Sequence, residues 1–224
     1  MIDLSKYRII DLSYEMIPGE MKINGQYLHG EPFVGRTIEV QEFMAYGARM
    51  HFIQSQTHNG THCEGAYKYL DEGPDMAGMP LASYIGEAVI TDFTHKGPGD
   101  QIISADEMRQ AGVGADDIVL VRTNADIENR DDMPYFAAEV LDFFIDTGIK
   151  LLASGGNLFY GPVDVPNAHI DAERKLLEKG IPMVDALKGL DQIQKERVFF
   201  IALPLKMQRV TAAWTRAIAL EEID

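Results

Sequence analysis

From residue 87 onward the chain repeats one unit, a short continuous apolar run followed by a stretch with helical spacing. "EAVITDF" (87–93) precedes "SADEMRQAG" (104–112), and "DIVLVRT" (117–123) precedes "DDMPYFAAEVLDFFIDTG" (131–148). "IKLLAS" (149–154) precedes "DAERKLLEKG" (171–180), and "IPMVDAL" (181–187) and "RVFFIALPL" (197–205) read as further extended segments. Runs this short and this apolar suit strands buried on both faces. The helical stretches carry their own punctuation. Ser104 and Glu107 form a capping box, and Gly112 stops that helix. Pro134 is placed to open the second helix and Gly148 to end it, with Phe136, Val140, Phe143 and Phe144 at helical spacing. Gly180 ends the third. The first third of the chain instead holds "YRIIDLS" and "RTIEVQEF", which read as strands. Strands first and strand–helix alternation afterwards predict an α/β fold with a mixed sheet. The 224 residues are enough for one substantial core, so a single domain over residues 1–224 is expected. No G-x-G-x-x-G follows the early strand and no P-loop motif occurs, which argues against a plain nucleotide-binding fold.

Composition narrows the partners. The formal net charge is −15, which disfavours a nucleic-acid backbone or an anionic membrane surface as partner. A small-molecule substrate is compatible with it, because a local arginine or a metal ion outweighs the global sign. No apolar run reaches 18 residues, the first ten residues lack a signal-peptide layout, and Cys63 is the one cysteine. A cytoplasmic location is the expectation.

Chemistry concentrates in "QTHNGTHCEGAYKY" (56–69). On a helix His58 and His62 share a face, but Glu64 lies far round from them. Asn59-Gly60 favours a turn over a helix. On a straight strand His58 and His62 would stand about 13 Å apart, beyond what one ion bridges. A bend at Asn59-Gly60 folds His58 back toward His62, and strand parity puts Glu64 beside His62. Two imidazoles and a carboxylate suit Zn, Mn or Fe, and further oxygen donors favour Mn over Zn. The competing interpretation is a hydrogen-bonded histidine pair beside a turn. Cys63 has the opposite parity and belongs to the core. A second cluster offers His169, Asp171, Glu173 and Asp185. Asp171 and Glu173 also suit the positive end of a helix, and His169 suits an exposed loop. Asp185 lies inside an apolar strand, where a carboxylate requires a metal or an arginine.

The motif at 58–68 resembles the H-x-G-T-H-x-D-x-P-x-H signature of the cyclase-like metal-dependent hydrolases, the family of kynurenine formamidase and isatin hydrolase. "IIDLS", "DDIVLVRTN", "LLEKGIPMVDALKGL" and "FFIALPLK" are similar, in the same order, to further family segments. The resemblance implies a swivelling β/β/α-type fold with a mixed sheet or partial barrel flanked by helices. It also implies a homo-oligomer, dimer or tetramer, one or two divalent metals, and hydrolysis of an amide or cyclic amide. Residue by residue, it assigns His58, His62 and Glu64 to a first ligand segment, and Glu173 and Asp185 to a second. This chain departs from the pattern where Glu64 replaces Asp, Ala66 replaces Pro, Lys68 replaces the last His, Glu173 replaces a later His, Asp185 replaces Glu and Gly155 replaces Asp. Arg216 keeps its place. The carboxylate exchanges preserve oxygen donors, and the His-to-Glu change favours harder ions, Mn ahead of Zn. Lys68 cannot ligate a metal while protonated, which weighs against a two-metal site. It is assigned to oxyanion stabilisation or proton transfer, with a snorkelling surface lysine as the competing interpretation.

The expectation is a metal-dependent hydrolase acting on a small amide, cyclic amide or lactone-like carbonyl compound, with Glu173 and Lys68 as catalytic groups. The alternatives are a non-hydrolytic metal-dependent lyase or cyclase, and a non-catalytic small-molecule-binding member of the fold.

Overall fold

The computed structural model describes residues 3–17, 19–20, 22–23, 26–27, 37–124, 132–155, 158–162 and 164–223. Among these, nine strands form one sheet: β1 (Tyr7–Asp11), β2 (His62–Glu64), β3 (Ile85–Phe93), β4 (Ile118–Thr123), β5 (Leu151–Ser154), β6 (Met183–Asp185), β7 (Arg197–Ile201), β8 (Ala212–Trp214) and β9 (Ile218–Glu222). Their spatial order is β1-β9-β7-β3-β4-β5-β6-β2-β8. The middle four, β3 to β6, run parallel. The flanking pairs are antiparallel. The sheet is therefore mixed, as the alternation predicted. It also curls. Ser13, just past β1, bridges Leu187, just past β6, although five strands separate β1 and β6 in the order. The result is a partial barrel.

Parity along β4 shows why its sequence has no polar alternation. Ile118 and Leu120 enter one core with Ala88, Leu151, Val184 and Phe200. Val119 and Val121 enter a second core with Val89, Leu152, Phe144 and Leu176. Both faces are covered, so both faces are apolar. The second core is roofed by the helices α1 (Ala105–Gln110), α2 (Ala138–Thr147) and α3 (Ala168–Glu178).

The predicted punctuation holds in most places. Ser104 accepts from the Glu107 N–H while Glu107 reaches back to the Ser104 N–H, completing the capping box. Gly148 ends α2 at φ +73°, a conformation that a side chain disfavours. Pro134 does not open the second helix. Tyr135–Phe136 is extended and pairs in parallel with Ile102–Ile103. The N–H groups of Tyr135 and Ala137 donate to Gln101 and Ile103 carbonyls. That ladder satisfies backbone groups that a first helical turn would leave open, so α2 begins at Ala138. Phe136 still packs edge-on to Phe144, with ring centroids 5.5 Å apart.

A long hairpin, Thr37–Ala45 and Ala48–Gln54, lies outside this sheet and pairs over seven registers from Glu39↔Gln54 to Ala45↔Ala48. It carries exposed Val40, Phe43, Met44, Met50, Phe52 and Ile53.

Candidate metal centre

Strand β2 has three residues, yet it is paired on both edges. His62 stands opposite Asp185 on β6 and Trp214 on β8, and Cys63 stands opposite Val184 and Ala213. The period of two then sorts the side chains. Cys63, Val184 and Ala213 enter the first core, where the Cys63 thiol donates to the Ala202 carbonyl at 3.0 Å. Burial pushes that thiol up, so it remains protonated and inert, as its parity predicted. His62, Glu64 and Asp185 face the opposite way, beneath α3.

The bend expected at Asn59-Gly60 is present. Gly60 has φ +65°, and a Cβ there would stand 3.3 Å from the Met16 side chain. The turn is anchored by the Thr61 hydroxyl, which donates to the Ala186 carbonyl at 2.6 Å and accepts from the Tyr14 N–H at 2.9 Å. It brings the rings of His58 and His62 to a centroid distance of 5.2 Å in an edge-to-face arrangement. His58 Nδ1 lies 2.6 Å from Glu64 Oε1, and its Nε2 lies 2.8 Å from the Thr211 hydroxyl.

His62 is fully buried, and its Nδ1 stands 2.8 Å from the Gly60 carbonyl. A carbonyl accepts only, so Nδ1 carries the proton. Nε2 lies 3.3 Å from Glu64 Oε1, donating to that carboxylate when the ring is charged and offering a lone pair to a cation when it is neutral. Burial pulls His62 down, but the Glu64 and Asp185 carboxylates outweigh it and raise its pKa. Glu64 moves the other way. Burial would raise it, but hydrogen bonds from both histidines and the Lys68 charge hold it well below the usual carboxylate range.

The second cluster joins the same pocket. Glu173 projects from the buried side of α3, so it is no mere N-terminal helix charge. Its Oε2 accepts from Lys68 at 2.6 Å and from the Tyr69 hydroxyl at 2.7 Å. Its Oε1 lies 3.1 Å from His169 Nε2. His169 Nδ1 accepts the Tyr160 N–H at 3.1 Å, which places the His169 proton on Nε2, toward Glu173. Burial raises the Glu173 pKa, and the His169 bond and Lys68 charge bring it below the ordinary value. Lys68 also reaches Glu64 Oε2 at 2.8 Å. Burial would lower the Lys68 pKa, but Glu64 and Glu173 raise it, so the ammonium stays charged. Its pairing with two buried carboxylates sets aside a free surface lysine. Among the described residues, no arginine pairs with Asp185. It accepts from the Tyr160 hydroxyl at 2.9 Å, and burial followed by the Glu64 charge raises its pKa. Asp171 lies exposed in the first turn of α3. Arg216 is also outside the pocket, exposed and paired with Asp11.

Among the described residues two donor sets result, each with ligand atoms within 4.8 Å of one another: His58, His62 and Glu64, and Glu64, Glu173 and Asp185. Sequence reasoning missed Tyr69 and Thr211, and it gave Tyr160, an aromatic able to line a pocket, core packing as its first role.

The Cyclase family profile matches residues 10–155. Kynurenine formamidase of Erythrobacter litoralis (strain HTCC2594) is 31% identical over 172 residues, 75% of each chain. The enzyme of the same name from Maricaulis maris (strain MCS10) is 30% identical over 172 residues, 74% of this chain and 77% of that one. In structure, isatin hydrolase A from Labrenzia aggregata superposes with a TM-score of 0.76 at 19% identity, covering 98% of this chain and 95% of that one. The last likeness is one of fold, and the identities with the formamidases carry the kinship. The chain belongs to the Cyclase family.

Proposed function

We propose that the protein is a metal-dependent hydrolase that cleaves the C–N bond of a small amide or cyclic amide, with lactone-like carbonyl compounds in the same chemical class. Kinship with kynurenine formamidases supports the reaction class. The observation that carries the metal centre is the convergence of His58, His62 and Glu64, whose ligand atoms lie within 4.8 Å of one another, with His62 Nδ1 already committed to Gly60. A carbonyl that fixes the tautomer and aims the other nitrogen inward is the usual support of a ligating histidine. The donor set fits a divalent ion. His58, His62 and Glu64 would hold it, with Asp185 as a further oxygen donor, and oxygen-rich completion favours Mn over Zn. When bound, such an ion supplies Lewis acidity to a carbonyl and to water.

The chain's own residues supply the rest. Glu173, fixed at both oxygens, is positioned to accept a proton from the attacking water and return it to the leaving nitrogen. Lys68 uses two of its three N–H donors on Glu64 and Glu173. The third is available to an oxyanion developing on the substrate. Burial of the pocket strengthens each of these interactions. The exposed apolar residues of the hairpin at 37–54 support a homo-oligomer. No described helix is long and apolar enough to cross a membrane, which accords with a cytoplasmic enzyme.

The test is Mn-loaded protein assayed against formamides, cyclic amides and lactones in heavy-oxygen water. Hydrolysis places the label in the product, and a lyase or cyclase does not. His62→Ala should lose both metal and activity. Full activity in metal-free wild type, or in His62→Ala, refutes the assignment.

A further inference from the structure

The two donor sets share Glu64, which raises the question of how many ions the pocket takes. One set already holds a cation of the protein's own. Lys68 Nζ stands 2.8 Å from Glu64 Oε2 and 2.6 Å from Glu173 Oε2, bridging the two carboxylates. A single turn of 3-10 helix, Ala66–Lys68, delivers it directly after β2. The Lys68 side chain is 20% exposed and the two carboxylate side chains 2% and 7%, so this bridge is largely withdrawn from water.

Glu173 is organised around that bridge. Its Oε2 accepts from both Lys68 and Tyr69, which uses both lone pairs, and its Oε1 faces the His169 Nε2 proton. A divalent ion binds a carboxylate oxygen at about 2.0–2.2 Å. It cannot share Oε2 with two donors and would have to expel the ammonium. The displaced charge would then sit near a dication in a buried pocket, where like charges repel strongly. In the other set the ammonium reaches only Glu64 Oε2, while Glu64 Oε1 faces His58 and His62.

We propose that the Lys68 ammonium is the tethered second cation of this pocket, so that the protein takes one divalent ion, at the His58–His62–Glu64 end, instead of two. This rests on the metal-centre assignment above. It also gives Lys68 an electrostatic role that stands whether or not the third N–H meets substrate.

The experiment counts ions. Full-length protein stripped with chelator is titrated with Mn2+, the stoichiometry is measured by calorimetry and by metal analysis after gel filtration, and electron paramagnetic resonance separates isolated from spin-coupled Mn2+. Wild type should bind one isolated ion per chain. Lys68→Met keeps the apolar stem and removes the charge. It should bind two ions per chain with a coupled signal. Lys68→His serves as a second variant and should also bind two. Two ions in wild type overturn the proposal and leave the metal assignment standing. One ion in either variant, with a native circular dichroism spectrum, also overturns it. No ion in wild type overturns both.

Discussion

Tyr160→Phe isolates the link between the core and the metal centre. The Tyr160 side chain is fully buried, and its hydroxyl donates to Asp185 Oδ1 at 2.9 Å and meets the Ser154 hydroxyl at 3.1 Å. Its ring is stacked between Phe136 at 5.9 Å and His169 at 4.8 Å. Phenylalanine keeps both stacks and removes one oxygen. The loss is one hydrogen bond to a buried carboxylate, about 1.5–3 kcal/mol. For a chain of this size that corresponds to a fall in Tm of roughly 3–12 °C. The penalty should depend on pH. Burial and the Glu64 charge raise the folded pKa of Asp185 above its ordinary value. What Asp185 contributes to stability is therefore complete below the unfolded pKa and lost as pH rises through the folded pKa, where the buried charge accepts from the Tyr160 hydroxyl. The hydroxyl matters most to the charged form, so the variant should lose more stability at pH 8 than at pH 4. Mn2+ affinity should fall about 10–100-fold, as for the loss of a group that orients a ligand. Urea denaturation at the two pH values and calorimetric Mn2+ titration measure these effects. A loss below about 0.5 kcal/mol at both pH values, with metal affinity unchanged within twofold, would refute the role assigned to the hydroxyl.

Two further outcomes lie away from the pocket. Asp117 accepts a two-pronged bond from Arg197 at 2.8 and 2.9 Å and a third from the Gly114 N–H at 2.8 Å. Burial opposes ionisation there, but the Arg197 and Gly114 bonds hold the Asp117 pKa below its ordinary value. Its stabilisation is present above the unfolded pKa and is lost as pH falls through the folded one. Asp117→Asn should cost about 1–2 kcal/mol at pH 7, discounted for the half-exposed guanidinium, and should flatten the acid limb of the stability profile below about pH 4. An acid limb unchanged from wild type would exclude Asp117 as its source. The hairpin predicts that light scattering finds a dimer or tetramer at micromolar concentration. Phe52→Glu, at an exposed hairpin position, should shift that population toward monomer. A monomeric wild type would remove the oligomer from the account.

Local rules were legible in this sequence where the backbone had no competing partner. The Ser104 and Glu107 box and the Gly148 cap needed only neighbouring residues, and both are present. Pro134 had the same local signal and lost to a tertiary one, the parallel pairing of Tyr135–Phe136 with Ile102–Ile103. In the pocket, His58, His62 and Glu64 were legible because one turn and one strand period bring them together within seven residues. Asp185 was legible as a misfit, a carboxylate in an apolar strand, whereas Glu173 suited a helix start and was assigned only through the family resemblance. Nothing in the local pattern says that Asp185 stands opposite His62, because that register follows from β2 inserting between β6 and β8.

That insertion explains why so short a strand can carry the chemistry. A three-residue strand at a sheet edge would fray, and histidines on it would sample many geometries. β2 is instead paired along both edges, and Cys63 locks its reverse side into the core. A one-residue slip would put His62 and Glu64 into the apolar core and Cys63 into the pocket, which burial of two polar groups forbids. The register that buries Cys63 is thus the same register that aligns His62 with Asp185 and sets Glu64 beneath Lys68. Its stability and the geometry of the site are fixed by one set of contacts. Loosening the Cys63 packing should for that reason disturb the pocket before it unfolds the chain.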